Sequence, residues 1–423
     1  MFGGGQQRPP SIGNSGIPPY CVKTIGSRHI LIGGGGGASK TGVKNEIETR
    51  LFTTENASKD VGFQSQCVHT VDTSSMATMN MDVACLVDEG SARYVIVAGQ
   101  DDQCVLYMTR GFKLNELEND SLAFEIKQVG QVKTDFHPTF SYQKCVRFDK
   151  NSRGKIFATG GADGFIRKWD AQIVSRSDDG NAQPIFQVQA HESSVDDIDF
   201  SNDSKFIISV GSEGTFIWSA ETGEKLYDVQ FPIEIARGFK MRSVRCTPLG
   251  NANGNMVFVA AYNSISKKDN VCCCYLSLWT FNGERRVARP IVTKLVAKKE
   301  SISTLSVSDC GNFTAIGTMT GGAGVFDTHE FRRMYFAPNS HEVFITGVEF
   351  LSKKSPPICE DFPRETPGIS SGFHSAIVTL AADKTLQLHR VPHPQPQPFS
   401  EFLLIISLMS FLFSWFSSYL IVS

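Results

Sequence analysis

Up to about residue 400 the chain reads as short segments in which apolar and polar residues alternate with a period of two. Helical spacing is nearly absent, so the pattern predicts strands. Residues 144–170 (KCVRFDKNSRGKIFATGGADGFIRKWD) give an alternating strand ending in Phe148, a polar turn and an apolar strand. A Gly-Ala-Asp turn and a strand ending in Trp169 come next. Residues 191–219 (HESSVDDIDFSNDSKFIISVGSEGTFIWS) repeat that order around Phe200 and Trp218, about 50 residues further on. Weaker copies cover 81–109, 239–281, 302–327 and 343–391, and the segment from Tyr20 to Phe52 completes seven units. Asp102, Asp163 and Asp383 each stand six residues before an end-of-strand residue. There an acidic side chain can bond its own backbone two residues on and fix the hairpin. Residues 53–76 and 110–134 are polar and predict loops or extended edges. The Pro- and Ser-rich 352–374 predicts a binding loop or disorder.

The other end of the chain breaks the pattern. Residues 402–423 (FLLIISLMSFLFSWFSSYLIVS) carry no charge, and 22 helical residues reach about 33 Å, enough for a hydrocarbon core of about 30 Å. The expectation is a transmembrane helix, inserted after synthesis, with the folded body on the cytosolic side. The flank offers only Arg390 and His393 as basic residues, a poor positive-inside signal. The expected organisation is a flexible segment 1–19, a β-domain 20–391, a Pro-rich linker 392–401 and an anchor 402–423. No apolar leader opens the chain.

The 423 residues carry a net charge of −2, so no basic excess argues for nucleic acid as a partner. Eleven cysteines lack zinc-like paired spacing. The run Cys272, Cys273, Cys274 lies in an apolar stretch and reads as reduced, buried cysteine in a strand. There is no G-x-S-x-G, no H-E-x-x-H and no clustered Cys and His, so no enzyme constellation emerges. His29, His69 and His137 read as surface or core histidines, and Asp196, Asp197 and Asp199 as a solvated strand face with one buried member.

The unusual stretch is 33–45, GGGGGASKTGVKN. A Walker A loop needs glycine directly before the lysine, but Ser39 precedes Lys40. That loop must also open a helix, whereas VKNEIETRLF alternates like a strand. A free linker would break the first unit. A shaped turn, with glycines supplying φ > 0, is more consistent. Asn45, Ser39 and the loop carbonyls then offer neutral oxygens. With no Asp or Glu inside 33–45, such a cage suits a monovalent ion better than calcium or magnesium.

The repeats resemble the WD40 family of β-propellers over roughly residues 20–391, on HESSVDDIDF…FIW and GADGFIRKWD. The resemblance implies an all-β, seven-bladed propeller. Only Trp169–Asp170 is a literal Trp-Asp pair, and the spacing stretches to 61 between Trp218 and Trp279, which reads as extra loops. His191 and Trp218 are expected to be structural. A propeller, a C-terminal anchor and GGGGASKTGVKN in the first blade together resemble the Sec-twelve family of guanine-nucleotide exchange factors. Ala38-Ser39-Lys40-Thr41 is close to the animal form of that loop. The resemblance implies a regulatory factor with no bond-making chemistry and no nucleotide of its own. It would act at the endoplasmic reticulum membrane on the Sar-type small GTPase that starts COPII coat assembly. It also implies that Gly34, Gly35, Gly36, Gly37, Ser39, Lys40, Thr41 and Gly42 form the exchange loop, and that Asn45 is its essential asparagine, with a potassium ion held there. The competing expectation is a membrane-tethered WD40 adaptor whose glycine loop is merely a turn.

Overall fold

The computed structural model describes residues 9, 11–39, 42–56, 61–88, 91–115, 121–177, 180–235, 238–249, 254–265, 272–355, 366–394 and 405–413. Seven four-stranded antiparallel sheets succeed one another along the chain. The first blade is built from β2 (Pro19–Ile25), β3 (His29–Gly34), β4 (Glu46–Asn56) and β5 (Val61–Asp72), ordered from the central axis outward. The innermost strands of successive blades pack side by side around a central channel.

The hydrophobic core is divided rather than continuous. Seven clusters of buried residues fill the seven junctions between neighbouring blades. The largest lies between blades 4 and 5, where Phe206 meets Phe281 edge-on and Phe258 stacks on Trp279. A blade alone would leave both faces wet. It is buried only by its neighbours, which is why the alternation recurs with the same polarity seven times.

One expectation needs correction. Residues 11–14, inside the stretch expected to be flexible, form β1 (Ser11–Asn14). It pairs with the strand Thr385–Val391 as the outermost strand of the last blade, Ser11 opposite Gln387 and Asn14 opposite Thr385. The ring is therefore closed by the two ends of the propeller, and its compact unit runs to Val391. A buried pair supports the latch. Arg50 Nη1 lies 2.8 Å from Glu48 Oε2, while Glu48 Oε1 accepts from Gly16 N at 2.6 Å and Ser15 Oγ at 3.2 Å.

The polar stretches also take definite form. Most of 53–76 belongs to β4 and β5, and 110–134 holds the outer strand Ser121–Lys133, so these are extended edges. Within 352–374, Lys354–Ser355 pairs with Thr366–Pro367, and residues 356–365 lie outside the described ones. The wide spacing at blade 5 comes partly from longer strands, nine to twelve residues each, in addition to loops. Residues 405–413 are helical, in a unit separate from the propeller. Among the described residues no helix is long and apolar enough to cross a membrane; 402–404 and 414–423 lie outside them.

Candidate functional site

In every blade two kinds of connection share one rim: the turn between the second and third strands, and the crossing from the outer strand to the next blade. Most of these turns are tight; blade 2 uses Asp101 and Asp102 alone. The first blade places eleven residues, 35–45, between β3 and β4.

The five glycines do not share one role. Gly33 and Gly34 end β3 and are paired on both sides, Gly34 with Pro19 and Glu46. A Cβ on Gly33 would overlap Thr78 and Cys21, and one on Gly34 would overlap the Pro18 carbonyl, so glycine here permits close backbone approach. Gly35 (φ +139°) seats the Asn45 side chain, and a Cβ there would overlap Oδ1. Only Gly37 (φ +67°) and Gly42 (φ +76°) are turn glycines with open space around them. Gly36 offers its carbonyl to Ser39 Oγ, which donates at 2.6 Å. Lys40 and Thr41 lie outside the described residues.

Asn45 is buried, 5% exposed, and fastens the loop at three points. Its Oδ1 accepts from Gly37 N at 2.8 Å; its Nδ2 donates to the carbonyls of Gly37 at 3.1 Å and Ser74 at 3.0 Å. Its backbone carbonyl accepts from Thr73 N at 3.0 Å. The protrusion is thus tied to the crossing into blade 2, whose own turn is set by Asp72 accepting from Ser74 N at 2.7 Å. The loop runs directly into strand β4, so no helix N-terminus is available to bind phosphate.

A potassium ion requires neutral oxygens with spare lone pairs. Among the described residues, Asn45 Oδ1 and the carbonyls of Gly36 and Gly37 each accept one hydrogen bond, which leaves each a second lone pair. The donor set therefore fits a monovalent ion, though Asn45 already shapes the loop by hydrogen bonding alone. Among the described residues no three His, Cys, Asp or Glu side chains could hold a metal.

The other residues singled out in the sequence are structural. His191 Nδ1 meets Glu213 at 3.1 Å and its Nε2 meets Ser209 Oγ at 3.0 Å, to which Trp218 Nε1 donates at 2.9 Å. Blade 7 builds the same relay with His389 in the tryptophan's place: His341 to Thr379 Oγ1 at 2.7 Å, then His389 at 2.8 Å. Asp163 and Asp383 bond the backbone two residues on, at 3.1 and 2.9 Å, whereas Asp102 meets Lys133 at 3.0 Å. The described cysteines are free thiols, and Cys274 is buried in its strand.

The acidic run departs from expectation. Asp197 and Asp199 are both buried, because each accepts a backbone N–H from the next blade: Val244 at 3.1 Å and Cys246 at 2.8 Å. Asp82 does the same for Phe148 at 2.8 Å. Asp82 and Asp199 line a channel cavity of about 300 Å³ together with Lys23, Arg147, Arg245 and Glu349. Burial opposes the charge of Lys23, but Glu349 at 3.4 Å and Asp82 at 3.3 Å outweigh it and hold the ammonium pKa above its usual value. Burial raises that of Glu349. The channel charges are compensated within the cluster and brace the ring.

Residues 134–170 and 182–219 match the WD domain, G-beta repeat family. The guanine nucleotide-exchange factor SEC12 of Rattus norvegicus is 24% identical over 426 residues, covering 93% of each chain. The chain resembles SEC12 along almost its whole length. The SEC12-like protein 2 of Arabidopsis thaliana is 25% identical over 238 residues, 55% of this chain and 50% of that one. Among solved structures, Sqt1 from Chaetomium thermophilum superposes with a TM-score of 0.55 at 14% identity, covering 92% of this chain and 86% of that one, a likeness of fold. The loop with Asn45 belongs to the first blade, outside the two repeats that match the WD family.

Proposed function

We propose that this chain is a guanine-nucleotide exchange factor for a Sar-type small GTPase at the endoplasmic reticulum membrane, where it initiates COPII coat assembly. The observation that carries the reading is the loop 35–45, fastened by Asn45 to the rim of the propeller. Similarity over 93% of the SEC12 exchange factor supports it.

Exchange is differential binding: the factor must hold the nucleotide-free GTPase better than the loaded one. A loop with little side-chain bulk can enter beside the GTPase's nucleotide and disturb the magnesium and phosphate contacts that retain GDP. Entry by a floppy loop would cost ordering entropy; the Asn45 clamp removes much of that cost in advance. A potassium ion held by Asn45 Oδ1 and the carbonyls of Gly36 and Gly37 would stiffen the loop further. The segment 402–423 would anchor the chain, keeping the propeller on the cytosolic side.

The test is GDP release from purified Sar-type GTPase, monitored by fluorescent nucleotide, with the full chain in liposomes and with residues 1–391 alone. Acceleration by both is expected. No acceleration by either would leave a tethered adaptor. Replacing potassium with sodium or choline is expected to slow exchange and loosen loop amide protection; unchanged rates and protection remove the ion.

A further inference from the structure

Scattered exposed apolar side chains are normal; their concentration on one rim is not. Among the described propeller residues, most exposed large hydrophobics lie on the rim that carries the glycine loop. Phe136 and Phe140 precede blade 3, Phe231 and Ile233 precede blade 5, and Val343 and Phe344 precede blade 7. Ile173 and Ile185 are exposed at the opposite rim.

The crossing before blade 3 holds its aromatics out by construction. Asp135 is wholly buried, and its Oδ1 accepts from His137 N and Tyr142 N, each at 3.0 Å. Its Oδ2 accepts from Asp163 N at 3.0 Å, and its carbonyl from Ser141 Oγ at 2.8 Å. Asp163 in turn accepts from Phe136 N at 3.1 Å, and His137 Nδ1 from Phe140 N at 3.0 Å. The polar atoms of the crossing are consumed internally, while Phe136 is 57% and Phe140 77% exposed. Phe136 is further flanked by Lys133 and the Arg167 guanidinium, 5.4 and 4.9 Å from its ring centre. A crossing free to relax would fold these rings inward. This one is stiffened around a buried carboxylate with the rings in water, which lowers the ordering cost of docking. The cations beside Phe136 are already paired, Lys133 with Asp102 at 3.0 Å and Arg167 with Asp163 at 2.8 Å, while further round the same rim Glu192 is an exposed carboxylate that favours a basic residue on whatever docks.

We propose that Phe136 and Phe140 are a second docking point for the GTPase of the exchange reading, taking an apolar patch bordered by Lys or Arg on that partner. The inference rests on that reading and extends it, since the knuckle lies on the same rim as the glycine loop, at the crossing from blade 2 to blade 3. The loop would carry the exchange step and the knuckle the grip.

The two roles separate in kinetics. Full chains carrying Phe140→Ser, or Phe136→Ala with Phe140→Ser, should bind nucleotide-free GTPase about tenfold more weakly, as aromatic anchors do. They should reach the wild-type exchange rate when saturated and melt at the wild-type temperature. Ile173→Ser, on the other rim, should change nothing. Wild-type affinity in the double variant, alongside an exchange-dead Asn45→Ala, overturns the knuckle and leaves the exchange reading standing. Self-association abolished by Phe140→Ser, in light scattering without GTPase, overturns it in favour of a second copy. A wild-type chain that neither binds the GTPase nor speeds GDP release overturns the exchange reading and the inference with it.

Discussion

Asn45 and Gly37 hold one another by two hydrogen bonds running in opposite directions, N–H to Oδ1 at 2.8 Å and Nδ2 to carbonyl at 3.1 Å. One side chain thereby imitates a strand partner for a residue that has none. Asn45→Ala strands the Gly37 amide and the Gly37 and Ser74 carbonyls, a local loss of about 1–3 kcal/mol. GDP release should fall more than tenfold while the melting temperature moves by only a few degrees. Full activity in a folded variant would remove Asn45 from the mechanism.

Gly35→Ala should reproduce that defect without touching Asn45. Its Cβ would occupy the space of Oδ1, at a φ of +139° that side chains rarely adopt. Hydrogen exchange should show faster exchange of the Gly37 amide in both variants; protection retained in Gly35→Ala would mean the seat is not needed.

Glu48→Ala should loosen the ring closure. It leaves Arg50 buried without its counter-charge and frees Gly16 N and Ser15 Oγ, costing about 3–5 kcal/mol. The urea midpoint should drop, and proteolysis should clip the N-terminal segment through β1 earlier. An unchanged midpoint would deny β1 its closing role.

Asp199→Ala should weaken the junction of blades 4 and 5 by about 1–3 kcal/mol, because the Cys246 and Phe200 amides lose their buried acceptor. The readout is the melting temperature, with accelerated exchange at the Cys246 amide.

Acid should destabilise the propeller from near pH 6.5 downward. Burial, only partly offset by Asp383, lowers the His341 pKa to about 4; burial and the nearby His341 lower that of His389 to about 3. Unfolded, both protonate near 6.5. Between about pH 6.5 and 4 the unfolded chain binds more protons, so this contribution is complete above 6.5 and is lost as pH falls. His341→Gln should flatten the fall in melting temperature between pH 7 and 4.5.

Much of the architecture was legible because each blade repeats a local pattern. Phe148, Trp169, Phe200 and Trp218 recur where they fill blade junctions, and the hairpin acids Asp163 and Asp383 recur where they close turns. The latch was not legible. Ser11–Asn14 is short and polar, and it becomes a strand only because Gln387 and Thr385 arrive beside it. The glycine run was legible as a shaped loop, but its division between strand pairing, an Asn45 seat and true turns depends on the neighbours Cys21, Thr78 and Pro18. The run Asp196, Asp197 and Asp199 reads as a solvated face with one buried member, and the second buried member is hidden because alternation cannot show the next blade's amides. Nothing in TDFHPTFSYQ announces a knuckle, since Asp135 is recognisable only once His137, Tyr142 and Asp163 converge on it.

The latch also fixes how the ring bears load. Any pull transmitted through Val391 enters the strand Thr385–Val391 first, which shares it with Ser375–Ala381 on one side and with β1 on the other. The bond to β1 is the shorter of the two seams. Val391 itself pairs with Ser375, whereas β1 pairs only with 385–387 at the far end, so a tug from the C-terminal segment would strain the blade's inner hairpin first and reach the point where the circle is sewn shut last.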